Sequence, residues 1–122
     1  MLKHPHLDSV SKLNLKKDLF LDFEISMNVL KEGFYDIIVK SNEIIALALD
    51  GKEIGKFEES SDVTENKVTA FLSKGHHSLY LVYLQAIGAK GIEALYKPVE
   101  DKGSGNLIGV DTDSISFSGI TQ

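Results

Sequence analysis

This chain predicts an all-β fold, an antiparallel β-sandwich of seven or eight strands, and three observations carry that expectation. Apolar and polar residues alternate over long stretches, turn residues recur at short intervals, and no helical periodicity breaks the pattern beyond a possible turn at residues 9–17. Alternating strands and helices would have pointed to a parallel sheet instead. With 122 residues and 43% hydrophobic content there is enough apolar surface for one core, so residues 1–122 read as a single domain. No internal repeat is visible.

Residues 1–17 form a lead-in, whose Lys12, Lys16 and Lys17 are a solvated basic run with no assigned role. Strand character is clearest next: Leu19, Leu21, Phe23, Ile25, Met27 and Val29 are apolar, and Asp22, Glu24, Ser26 and Asn28 lie between them. Because successive strand side chains point to opposite faces, this is a half-buried strand. Lys31, Glu32 and Gly33 turn the chain into the β-branched and aromatic run Phe34 to Val39. Ile44 to Leu49 is a continuous apolar run closed by Asp50-Gly51, a pair suited to a tight hairpin that needs positive φ at both central residues.

Ile54 and Phe57 resume the strand pattern, and the polar stretch Glu58 to Asn66 is an exposed loop. Lys67 to Leu72 is a strand, Ser73 to Gly75 a turn, and His77 to Leu84 a central strand with two largely apolar faces. A small-residue loop, Ala86 to Gly91, leads to the strand Ile92 to Lys97, which Pro98 ends because it lacks a backbone donor. Residues 98–112 read as a flexible loop, and Ser114 to Phe117 as a last, weak strand.

Composition narrows the function. Thirteen Lys and Arg against eighteen Asp and Glu give a net charge of -5, which argues against nucleic acid or an anionic membrane as partner. No apolar run is long enough for membrane insertion as a helix, and the first residues carry no signal-peptide pattern. Without cysteine there are no disulfides or thiolate metal sites.

Chemistry-bearing motifs are sparse, and the chain reads as no enzyme. His4 and His6 lie in the lead-in; His76 and His77 are adjacent, which on a strand sends them to opposite faces and suits a packed turn histidine beside an exposed one. No Gly-x-Ser-x-Gly elbow and no Cys nucleophile occur. Glu58 with Glu59, and Asp111 with Asp113, are the residue types of glycoside hydrolysis, but they stand in polar loops, and nothing in the sequence predicts the separation or desolvation that chemistry needs. Gly103 to Gly105 lacks the lysine and the strand-to-helix context of a phosphate loop. Tyr35, Tyr80, Tyr83 and Tyr96 belong to strands and pack there, and there is no Trp to act as a sugar platform.

Several short stretches recur in a familiar order. Gly33, Phe34 and Tyr35 give a Gly-x-Tyr at a strand end, Ser41, Asn42 and Glu43 make a loop, and Asp50-Gly51 closes a hairpin. Leu72, Gly75 and His77 then form a turn, followed by Tyr83, the small-residue loop Gly88 to Gly91, Ile92 and Tyr96. Between Phe20 and Tyr96 the chain resembles the PA14 family, β-sandwich modules of adhesins, glycosidases and toxins.

The resemblance implies a non-catalytic binding module at the cell surface or outside the cell, taking carbohydrate through its loop tips. An alternative on the same fold is a protein-interaction or assembly module. Family members that hold calcium use adjacent aspartates where this chain has Asn42 and Glu43, which keep oxygen ligands but supply one charge instead of two. Calcium is disfavoured on that ground and no cofactor is expected. The ligand-binding residues expected are Ser41, Asn42, Glu43, Gln85 and Lys90, at tips a sandwich can vary without disturbing its core.

Overall fold

The computed structural model describes residues 20–84 and 91–121. Among the described residues there are nine strands: β1 (Phe20–Val29), β2 (Gly33–Ser41), β3 (Ile45–Leu49), β4 (Lys52–Phe57), β5 (Thr64–Leu72), β6 (Gly75–Leu84), β7 (Ile92–Pro98), β8 (Asn106–Leu107) and β9 (Ile115–Thr121). They form two antiparallel sheets, a five-stranded one in the order β4-β3-β6-β1-β9 and a four-stranded one in the order β5-β2-β7-β8. The β-sandwich expected from alternation is therefore present. The strand beyond the expected count is β8, a two-residue pairing of Asn106 and Leu107 with Tyr96 and Leu95, inside the stretch expected as a loop.

Alternation decides which side chains enter the sandwich. In β1, Ile25, Met27 and Val29 are buried and Glu24 and Asn28 are exposed, while an unbroken register with β6 runs from Phe20 opposite Leu84 to Val29 opposite Gly75. Tyr35, Ile37 and Val39 of β2 enter from the facing sheet and meet Ile45, Leu47, Leu79, Leu81, Leu72, Tyr96 and Ile115 in one core. Each fully buried aliphatic side chain of this kind stabilises the fold by about 1.5–3 kcal/mol before chain entropy is counted.

The hairpin joining β3 to β4 has positive φ at both Asp50 (51°) and Gly51 (84°), as its dipeptide requires. A bulge between Leu47 and Ala48 follows in the β3–β4 ladder, and another interrupts β1–β9 between Ser26 and Met27. On the far side of the four-stranded sheet, Asp36 is buried, accepting from the Thr69 hydroxyl at 2.7 Å with the Lys97 ammonium 3.7 Å away. A buried carboxylate without such partners would be costly.

The registers sort the connections between two ends. Ser41 pairs with Thr64 and Ile92, and Ile45 with Tyr83, so the β2–β3, β4–β5 and β6–β7 connections share one end. The β1–β2, β3–β4 and β5–β6 turns share the other.

Candidate functional site

At the first end the chain leaves one sheet and enters the other, because β2 belongs to the four-stranded sheet and β3 to the five-stranded one. Residues 42–44 make that crossing. The Ser41 hydroxyl accepts from the Glu43 amide at 3.0 Å, a local side-chain-to-backbone bond that bends the strand end. The Asn42 carbonyl accepts from the Ser60 amide at 2.9 Å, and the Thr64 hydroxyl donates to the Ser41 carbonyl at 3.2 Å. Both bonds tie the β4–β5 loop to the crossing.

This packing corrects the picture of an exposed tip. Ser41, Asn42 and Glu43 are only 2%, 5% and 7% exposed. The crossing is held inside the end of the sandwich by its hydrogen bonds to the neighbouring loop. Gln85 and Lys90 lie outside the described residues. Burial pushes the Glu43 carboxyl above the usual carboxylate range, and the negative charge of Glu59 acts in the same direction. Among the described residues no hydrogen bond or ion pair engages the Glu43 side chain.

The other chemistry-bearing residues have structural surroundings. Asp111 accepts from the Phe117 amide at 2.8 Å, and Asp113 pairs with Lys31 at 3.1 Å, both on exposed loops. Glu58 and Glu59 are exposed. Among the described residues no three His, Cys, Asp or Glu side chains converge as a metal would require. An apolar gap of about 10 Å³, bordered by Met27, Leu79, Tyr96 and Ile108, lies within the sandwich and offers no polar group to orient a ligand.

His76 is exposed and His77 buried, as adjacent strand positions dictate. The partners of His77 were not legible in the sequence: Nδ1 lies 2.6 Å from Asp50 Oδ2, and Nε2 lies 2.7 Å from the Ser73 carbonyl. Also unanticipated is an exposed aromatic pair on adjacent strands. Phe34 and Phe71, 55% and 49% exposed, stand opposite one another with rings edge to face at 5.3 Å. Exposed Val99 lies beside them, its amide donating to the Phe34 carbonyl at 3.0 Å.

No family model and no curated protein sequence matches the chain. Solved structures do. The PA14 domain of MpAFP antifreeze protein superposes with a TM-score of 0.59 at 12% identity, over 80% of this chain and 52% of that one. The PA14 sugar-binding domain from an RTX adhesin superposes with a TM-score of 0.53 at 16% identity, over 70% of this chain and 50% of that one. The chain thus spans about half the length of the solved domains it matches.

Proposed function

From a chain with a PA14-like fold, we propose a non-catalytic module that binds carbohydrate at the β2–β3 crossing, through Ser41, Asn42 and Glu43. Gln85 and Lys90 join that site on sequence grounds alone. The observation that carries the reading is Glu43: the residue is held largely inside the crossing, yet among the described residues its carboxylate makes no bond to the fold and keeps contact with solvent, so its acceptor capacity is open to sugar hydroxyls. One structural neighbour is described as a sugar-binding domain from an adhesin, which supports both the ligand class and an extracellular or cell-surface setting. Calcium is not assigned to the site, since a hard cation seeks six to eight oxygens and this crossing offers one carboxylate and one amide.

The test is a glycan array probed with the purified chain, with calcium and with a chelator, alongside Asn42→Ala and Glu43→Gln. Loss of a charge-assisted hydrogen bond from a buried site is expected to weaken binding roughly 10- to 100-fold, with the variants still folded by circular dichroism. Binding by wild type that both variants retain in full sinks the assignment of these residues. Silence on every glycan sinks the sugar reading.

A second reading, a protein-interaction module, is favoured by the exposed Phe34, Phe71 and Val99 at the opposite end of the molecule. Solvent-facing aromatic pairs of this kind commonly mark a contact surface. Replacing Phe34 with serine would abolish such an interaction and leave glycan binding unchanged.

A further inference from the structure

We propose that His77 is a proton-operated clasp on the β5–β6 turn, bonded to the Ser73 carbonyl when doubly protonated and to the Ser73 hydroxyl when singly protonated. Ser73 presents two different groups to one ring nitrogen: Nε2 lies 2.7 Å from its carbonyl oxygen and 3.3 Å from its hydroxyl oxygen. The carbonyl only accepts, and the Asp50 carboxylate 2.6 Å from Nδ1 also only accepts. As found, both contacts are satisfied together by the imidazolium, which donates at each nitrogen.

Removing one proton forces a choice. Asp50 is fixed on its side of the ring: its Oδ1 accepts from the Ser78 amide at 2.8 Å and its own amide donates to the Ser78 carbonyl at 2.8 Å. The charge-assisted bond to Asp50 is the stronger, so the remaining proton stays on Nδ1. Nε2 then turns a lone pair toward the lone pairs of the Ser73 carbonyl, and that contact becomes repulsive. The Ser73 hydroxyl is the donor within reach. Taking it requires a small rotation of the turn, which Gly75, at φ 117°, stands in position to absorb.

The surroundings leave this switch to Asp50 and Ser73. From the β3–β4 turn, Asp50 faces the ring; from the β5–β6 turn, Ser73 does, followed by exposed Lys74. Across the ladder, β1 places apolar Met27 opposite His77, and β9 places Phe117 beyond Met27. Burial acts to lower the ring's pKa, but the hydrogen bonds to Asp50 and Ser73 and the charge of Asp50 together carry it above the ordinary histidine value. A histidine raised in the fold stabilises it fully below the unfolded value of about 6.5 and loses that contribution as pH rises through the folded value. The doubly bonded form thus belongs to the low-pH side of the folded value, and the hydroxyl-bonded form to its high-pH side.

The experiment is NMR of the intact chain, following the His77 ring nitrogens and the Ser73, Lys74 and Gly75 amides from acidic to alkaline pH. The expected result is an Nδ1–H tautomer at alkaline pH and turn amides that titrate together with the ring. Ser73→Ala removes only the hydroxyl, deprives the singly protonated ring of its donor, and is expected to raise the His77 pKa by roughly half a unit to one unit. Ser73 is exposed, so the variant folds. A pKa that is unchanged or lowered in Ser73→Ala, an Nε2–H tautomer, or turn amides silent across the ring titration would each overturn the proposal.

Discussion

Replacing Gly55 with alanine tests how the two sheets close on one another. Gly55 stands opposite Leu47 in the β3–β4 ladder, and β4 comes against β5 of the facing sheet along this seam. A Cβ at Gly55 would lie 2.7 Å from a methyl of Val68 and 3.2 Å from the Phe57 ring. Val68 is β-branched and held in a strand, so it has little rotamer freedom with which to yield. Overpacking of this kind costs about 1–3 kcal/mol, from which the reduced chain entropy of alanine in the unfolded state recovers about 0.4–1 kcal/mol. A net loss of about 1–2 kcal/mol is expected. At an unfolding entropy of about 2.1 cal/mol/K per residue, 122 residues convert that loss to a fall of about 4–8 °C in Tm. Thermal and urea unfolding of Gly55→Ala, Val68→Ala and the double variant complete a cycle. The double variant should be more stable than the sum of the single losses implies, by about 1 kcal/mol or more, because the colliding methyl is gone. A Gly55→Ala protein as stable as wild type, or additive losses around the cycle, would refute the account of the seam.

The remaining expectations concern tyrosines. Tyr96 donates its hydroxyl proton to the Val110 carbonyl at 2.6 Å and lies 3.2 Å from the Thr112 hydroxyl, so Tyr96→Phe should cost about 1 kcal/mol and speed amide hydrogen exchange around residues 110–115. Unchanged exchange there would mean that the tether is not what orders the approach to β9. Burial first, and then the charge and hydrogen bond of Asp22, push the Tyr80 hydroxyl up to about 12. A tyrosine raised in the fold favours the folded state below pH 10 and costs stability as pH rises from 10 towards 12, by about 2–3 kcal/mol in all. Urea midpoints measured across that window should decline less steeply in Tyr80→Phe than in wild type; parallel declines would assign the alkaline loss elsewhere.

Strand positions were legible in the sequence wherever alternation was strong. β1 announces itself because its inward residues are uniformly apolar, and Asp50-Gly51 announces a hairpin because few dipeptides accept positive φ twice. β8 was not legible, since two residues carry no periodicity and their pairing depends on Leu95 and Tyr96 being brought alongside. β9 extends to Thr121, beyond the expected Phe117, because Ser118 and Gly119 hide strand character that the β1 ladder enforces. The crossing at Ser41, Asn42 and Glu43 read as a polar loop and so as exposed. Its burial follows from hydrogen bonds to Ser60 and Thr64, residues far away in sequence that no local pattern connects to it.

The same non-locality separates the work of the two ends. Asp50 and His77 are read singly as a turn residue and a packed histidine, yet together they fasten the β3–β4 hairpin to the β5–β6 turn. At their end of the sandwich both ring nitrogens of His77 are engaged, while Oε1 of Glu53, on the strand leaving the same hairpin, is buried without a partner among the described residues. At the opposite end the Glu43 side chain makes no hydrogen bond or ion pair among the described residues, and its carboxylate oxygens keep contact with solvent. Because the Glu43 carboxylate is bonded to nothing among the described residues, changes there should act on binding and spare stability, whereas changes at His77 should do the reverse. Glu43→Gln is accordingly expected to raise the urea midpoint or leave it in place while weakening glycan binding, and a lowered midpoint would return Glu43 to the fold.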